Sequence, residues 1–217
     1  MPQQAAWRDE YDRKLLSFAD AAQLIQAGDI IYTPIGGDAR SFLPSVFARI
    51  AALDFNVRVR ACAPQGQDWF LPEYWDLPFE MSVEIFGGAL SRAALAAKRA
   101  DFYPQLFSNQ FNLYDSRGED QEPIDVFTTA CTPPDDEGYV TFGGMPWHKG
   151  DFTRRADRTI LEVSPWLPNV RTTEKIHVSQ VAAFVHTDLA ERPAVATTLP
   201  PPETQTIAGY VNEIVQD

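Results

Sequence analysis

Cysteine is nearly absent from these 217 residues: only Cys62 and Cys131 occur, each closing an apolar, strand-like run (VRVRAC and DVFTTAC). A disulfide framework is therefore not the basis of the fold, and both thiols are expected to be buried as small hydrophobes. Histidine is equally sparse. His148, His177 and His186 are scattered, and without CxxC, HExxH or any clustered ligand spacing no metal site is expected. Basic residues are also in deficit, 18 Lys and Arg against 30 Asp and Glu, for a formal net charge of -12 and a pI near 4.6. Such a surface repels polyanions and anionic headgroups, so neither nucleic acid nor a membrane is an expected partner. No apolar run approaches the about 20 residues that span a bilayer. The opening MPQQAAWRDEYDRKLL has Pro, Gln and acidic residues where a secretory leader carries basic and then apolar ones, and a soluble, cytoplasmic protein is expected. GxGxxG, P-loop and GxSxG motifs are missing as well. A Rossmann cofactor, a nucleoside triphosphate and serine hydrolase chemistry thus lack support.

What remains is an ordinary globular mixture, 45% apolar and 22% charged, with enough chain to bury a sizeable core. Ser17 followed by Asp20 and AAQLIQAG reads as an N-capped helix stopping at Gly28. Residues 29–35 (DIIYTPI) form a strand pattern broken by Gly36 and Gly37. Residues 41–53 then place Phe42, Val46, Phe47, Ile50 and Leu53 on one helical face. Residues 56–63 (NVRVRACA) are strand-like, and PQGQDWFLPEYWDLP is too rich in Pro and aromatics for regular structure. The unit repeats: SVEIF, then Gly87 and Gly88, then an alanine-rich helix expected to be capped by Ser91. Residues 124–131, 140–142, 159–163 and 176–178 add strand patterns. Strands alternating with helices predict an α/β fold with a mostly parallel sheet and helices on both faces. Residues 1–189 are expected to form this domain, residues 190–203 a Pro-rich linker, and residues 204–217 a terminal amphipathic helix. That helix either docks back onto the domain or begins a second unit.

Ligands of α/β sheets gather beyond the carboxyl ends of the strands. The loops to examine are those with Gly36 and Gly37, Gly87 and Gly88, residues 133–139, and Gly143 and Gly144. Glycine there lets backbone N–H groups approach an oxyanion, carboxylate or phosphate, although each pair is equally the sequence of a plain turn. Asp135, Asp136 and Glu137 read as a solvated turn rather than a metal cage. His148 reads as a surface-loop histidine, with a general base as the alternative. Glu162, in the apolar run ILEVS, needs a buried partner, either a backbone donor or an arginine.

The order of motifs resembles the N-terminal half of the acetyl-CoA hydrolase/transferase family, which includes 4-hydroxybutyrate CoA-transferase among the family I CoA-transferases. The segments that carry it are YDRKLLSFADAAQLIQAGDIIYTPIGG, EIFGGALSRAALAAKRADFYP, IDVFTTACTPPDDEGYVTFGG and TILEVSPWLPNVRTTEKIHVSQV, from about Tyr11 to Val181. The resemblance implies an acyl-CoA thioester and a carboxylic acid as substrates, no permanently bound cofactor, and a glutamyl-CoA intermediate. Its glutamate would lie in a C-terminal half or subunit outside these residues, so no catalytic nucleophile is assigned here. It also implies an oligomer. By the same resemblance, Gly36, Gly37, Gly87, Gly88, Arg92, Gly138 and Gly143 would form the substrate-binding wall. GGDARS lacks the proline common after the first glycine turn, and Ser164 stands where Asn is usual after Glu-Val. The loop aromatics Trp69, Phe70, Trp75 and Trp147 suggest an unusual or bulky acid. Competing readings are a non-catalytic binding or structural module of the same fold, and a sugar-phosphate isomerase, which the acidic pI and the absence of a basic cluster oppose.

Overall fold

The computed structural model describes residues 2–53, 56–62, 68–85, 87–104, 106–109, 123–189 and 199–215, with the backbone alone for 2–5 and 109. In chain order the elements begin with α1 (Pro2–Lys14), α2 (Phe18–Ala22), β1 (Ile30–Thr33), α3 (Leu43–Ala51), β2 (Val57–Cys62), β3 (Phe79–Glu84), α4 (Ala89–Ala96) and β4 (Asp101–Tyr103). They continue with β5 (Val126–Cys131), β6 (Tyr139–Thr141), α5 (Lys149–Arg155), β7 (Arg158–Val163), β8 (Lys175–His177), β9 (Ala183–His186) and α6 (Pro202–Ile214). Seven strands form one sheet in the order β4-β3-β2-β1-β5-β7-β9, and every pairing in it is parallel. The α/β class is as expected.

Alternation along each strand explains the layers, because successive side chains point to opposite faces. Ile31, Val59, Val83, Val126, Ile160 and Val185 meet α2, α3 and α4 on one face. Tyr32, Phe127, Leu161, Val163 and Phe184 point the other way, toward α1, α5 and β6 with β8. With both faces covered, β1, β5 and β7 carry no polar-out alternation, and all four residues of β1 are buried.

Several expectations are corrected. The patterns at 140–142 and 176–178 are strands, but β6 and β8 pair antiparallel in a separate two-stranded sheet. The chain turns back sharply after β5, where Thr132 N–H donates to the Thr141 carbonyl at 2.8 Å and Thr141 N–H to Thr132 Oγ1 at 3.0 Å. Ser91 does not cap α4. Gly88 holds that position, and Ser91 lies buried in the first turn with its Oγ donating to the Gly88 carbonyl at 3.1 Å. Trp69 and Phe70 are core residues rather than walls of an acyl pocket: both are buried, and Phe47 stacks on Tyr74 at 3.7 Å and meets Trp69 edge-on at 5.1 Å. Four elements had no expectation, namely α1, α5, β4 and β9. Along α1 and just past its end, Trp7, Tyr11 and Leu15, at i, i+4 and i+8, pack against the core. The proposed linker lies mostly outside the described residues. The terminal helix begins at Pro202 and has no buried residue.

Phe47→Ala removes the ring on which Trp69, Tyr74 and Phe79 converge and is expected to cost about 3–5 kcal/mol. The midpoint of urea unfolding checks it, and a loss under about 1 kcal/mol would show that the aromatic cluster is not a core.

Candidate functional site

The strand order reverses between β1 and β5, both of which pair directly. Open parallel sheets have their crevice at the carboxyl end of such a switch point, because the following loops diverge to either side. The chain leaves β1 there through Gly36 and Gly37, with φ of 61° and 66°. Both are left-handed, a conformation that side chains resist. Each carbonyl of the turn is held from below. The Gly37 carbonyl accepts from Ala130 N–H at 2.7 Å and from Thr129 Oγ1 at 2.8 Å, both on β5. The Gly36 carbonyl accepts from Lys149 Nζ at 2.9 Å. A Cβ on Gly37 would stand 2.6 Å from that nitrogen, so glycine is required there by space as well as by φ.

Lys149 is the first residue of α5 and is completely buried. His148 before it adopts φ of 55°, a left-handed bend that redirects the chain into α5. Burial pushes the ammonium pKa down to about 8, with the charge on Asp38 acting the other way. Sequence reasoning missed this lysine. Within GGMPWHKG it has the look of a solvated loop cation, and only the return of α5 over β5 places it under the turn.

On the opposite face, Glu162 of β7 has the partner that its position demanded. Its Oε2 accepts from Phe42 N–H at 3.0 Å at the start of α3, where no side chain of the flanking residue caps the helix. Burial raises the Glu162 pKa, and bonds from Phe42, Thr187 and Ser41 partly offset that rise. Ser41 Oγ and Thr187 Oγ1 lie 2.9 Å apart beside it.

Gly87, Gly88 and Arg92 lie at the carboxyl end of β3, two strands from β1, roughly 10 Å by strand spacing. Arg92 Nε donates to the Gly87 carbonyl at 3.0 Å. Just before them Ile85 has φ of 69°, a conformation that costs a β-branched residue about 1–3 kcal/mol and is typical of functional loops. Gly138 and Gly143 sit elsewhere, on the turns around β6. A Cβ on Gly138 would meet the Trp7 ring at 2.8 Å and His177 Nε2 at 3.0 Å, and one on Gly143 would meet Leu167 at 3.2 Å. Close packing accounts for both. Beside Gly138, a cleft of about 550 Å³ is lined by Trp7, Glu10, Asp136, Glu137, Tyr139 and His177. Asp135 Oδ1 accepts from the N–H groups of Glu137 and Tyr139, both at 2.9 Å, which makes the acidic run an Asx turn. Among the described residues no three His, Cys, Asp or Glu side chains converge as a metal site, and no helix is long and apolar enough to cross a membrane. His148 lies half-buried, 5.0 Å from the Phe107 ring. Cys62 and Cys131 are both buried thiols.

A parallel sheet covered on both faces, with a glycine turn at its switch point, defines a doubly wound α/β protein, a class whose ligands bind at the carboxyl ends of the strands. More narrowly, the model of the acetyl-CoA hydrolase/transferase N-terminal domain matches residues 1–196, and the chain belongs to that family. It is 27% identical to the succinyl-CoA:cyclohexane-1-carboxylate CoA transferase of Geobacter metallireducens, over 98% of this chain and 47% of that protein. RipA from Yersinia pestis superposes with a TM-score of 0.78 at 22% identity, covering 97% of this chain and 50% of that one. 4-Hydroxybutyrate CoA-transferase from Porphyromonas gingivalis gives a TM-score of 0.62 at 19% identity, covering 97% and 48%. The chain therefore spans about half the length of these proteins.

Glu162 and Lys149 set opposite pH signatures. The folded pKa of Glu162 lies above its ordinary 4.5, so the stability from its protonation is complete below that value and is lost as pH rises through the folded pKa. Glu162→Gln keeps an acceptor for Phe42 N–H without a charge. It is expected to match or exceed the parent in stability at pH 7, the two converging below about pH 4.5; a variant clearly weaker at pH 7 would refute this. For Lys149, with a folded value of about 8 against an ordinary 10.5, the unfolded chain binds the extra proton between those pH values, so stability rises with pH across that window. Lys149→Met is expected to abolish the rise, on the order of 3 kcal/mol. Thermal unfolding across pH 7–10, a range set by these ordinary values, reads it directly, and an unchanged rise in the variant would assign it to another group.

Proposed function

We propose that this chain is the N-terminal half or subunit of an acyl-CoA transferase that moves CoA between carboxylic acids. The observation that carries the reading is the Gly36–Gly37 turn at the switch point. Both of its carbonyls are tied inward, and the Gly37 N–H has no hydrogen-bond partner among the described residues. A half-buried N–H of this kind suits a carboxylate or the oxyanion of a thioester under attack. Family membership and the Geobacter relative, named for two carboxylic acids exchanging CoA, support the substrate class.

In this reading a glutamate from a C-terminal half, outside this chain, attacks the thioester carbonyl. The tetrahedral oxyanion collapses with loss of the CoA thiolate and leaves an acyl-glutamyl anhydride. The thiolate then attacks the glutamyl carbonyl, releasing the first carboxylic acid as its carboxylate and forming glutamyl-CoA. A second carboxylate repeats the two steps in reverse and departs as the new thioester. Each step passes through an oxyanion, and the role of this half is to supply backbone donors and a dry wall. Gly36 and Gly37 face that carbonyl, Gly87, Gly88 and Arg92 border the neighbouring strand end, and Gly138 and Gly143 hold the turns around β6 against α1 and Leu167. The functional particle is a cytoplasmic oligomer that includes the other half.

The test is a thioester assay with a panel of acyl-CoAs and acceptor acids, run on this chain alone and after mixing with a C-terminal half. Turnover is expected in the mixture only. Turnover by this chain alone would place the nucleophile within it, and a stable complex without turnover would favour a binding module instead.

A further inference from the structure

Lys149 is an expensive way to hold one carbonyl. Its ammonium is completely buried, and the only hydrogen bond it donates among the described residues goes to the Gly36 carbonyl. A hydroxyl or amide side chain would satisfy that oxygen without burying a charge, a burden that folds retain chiefly where the charge acts on something else. The next group along the chain is the N–H of Gly37. In a trans peptide C=O and N–H lie in one plane and point in opposite directions, and no cis peptide bond occurs among the described residues. Whatever fixes the Gly36 carbonyl therefore fixes the Gly37 N–H. With that carbonyl drawn toward Lys149, the N–H is turned away from the buried side of the turn, where Gly37 is only half-buried. The positive charge lies behind it and polarises the same peptide. Thr129 and Ala130 hold the following carbonyl, so the peptide between Gly36 and Gly37 is the one that Lys149 holds.

We propose that Lys149 is a positioning residue: its contact with the Gly36 carbonyl aims and polarises the Gly37 N–H as a donor for the carboxylate or oxyanion of the ligand. Lys149 touches no ligand itself, being shielded by the turn. The proposal rests on the preceding reading of the turn as a carboxylate site.

The test is a set of ¹H–¹⁵N NMR spectra of this chain, following the Gly37 amide while sodium acetate is added, in the parent, K149M and K149R. The parent Gly37 signal should shift saturably. K149M should weaken the acetate response about tenfold, the equivalent of one hydrogen bond, and K149R should recover most of it. A second measurement needs no variant: the Gly37 amide shift should follow the Lys149 ¹⁵Nζ signal as pH rises. The other titratable groups facing this ammonium are Asp38 on the turn and Cys131 on β5, the thiol being pushed upward by burial. A full acetate response in K149M, or a Gly37 amide that ignores the lysine titration, overturns the proposal and leaves the carboxylate site standing. A parent Gly37 signal indifferent to acetate overturns both.

Discussion

A parallel sheet buried on both faces directs a ligand toward its strand ends, and here the amino ends of β1, β5 and β7 are tied together. Arg158 Nη2 meets Asp29 Oδ1 at 2.7 Å, its Nη1 donates to the Leu24 carbonyl at 2.7 Å, and Ile30 N–H donates to Asp125 Oδ2 at 2.7 Å. These contacts tie the starts of β1, β5 and β7 to one another and to the segment after α2. The carboxyl ends are where β1 and β5 part company, and their divergence sets the Gly36–Gly37 turn over a gap that side chains must fill. Thr129, Ala130 and Lys149 fill it by taking the carbonyls. The orientation of that turn is thus a consequence of strand order rather than of the turn's own sequence.

The two faces of the sheet then do different work. The face of Ile31 and Val59 carries the large aromatic and aliphatic packing with α2, α3 and α4, and the buried Glu162 on it fastens the start of α3 to β7. The opposite face is covered by α1, α5 and the β6–β8 pair, and it holds Lys149 as well as the buried Glu84, which accepts from the Tyr32 hydroxyl at 3.1 Å and stands 3.6 Å from Arg60. Glu162 and Lys149 are both kept from water, and each answers to a backbone group of a helix start or a glycine turn. This placement holds main-chain groups of the carboxyl edge in fixed positions.

Much of the architecture was legible in the sequence because its signals are local. The β1, β5 and β7 runs are β-rich and almost wholly buried, as strands covered on both faces are, β2 alternates Val with Arg, and α3 shows its core face at Phe42, Val46, Phe47 and Ile50. The Ser17 cap of α2 was readable, with its Oγ accepting from Asp20 N–H at 3.1 Å. Four elements escaped. In α1 the stripe of Trp7, Tyr11 and Leu15 is diluted by charges, β4 is a three-residue edge strand, and β9, though buried at Ala183, Phe184 and Val185, is a short run with no flanking glycine to mark it. The Trp69 and Phe70 pair looked like loop furniture because irregular backbone gives no period from which to infer burial. At the site, the glycines announced themselves by position, but the roles separated only in three dimensions. Gly37 faces a buried lysine from a segment far along the chain, whereas Gly138 is small because Trp7 needs the space.

The sequence by itself determined the class: alternating strand and helix patterns, glycines after strands, and an order of motifs shared with one enzyme family. Those follow from residue-by-residue preferences that survive without partners. Tertiary structure alone decided which glycines stand at the switch point, that β6 and β8 leave the main sheet, and that Lys149 is a buried group rather than a surface cation. The reason is physical. Burial and hydrogen-bond direction depend on which distant strands become neighbours, and the reversal between β1 and β5 brings Gly36, Thr129 and Lys149 to one point across more than a hundred residues of chain.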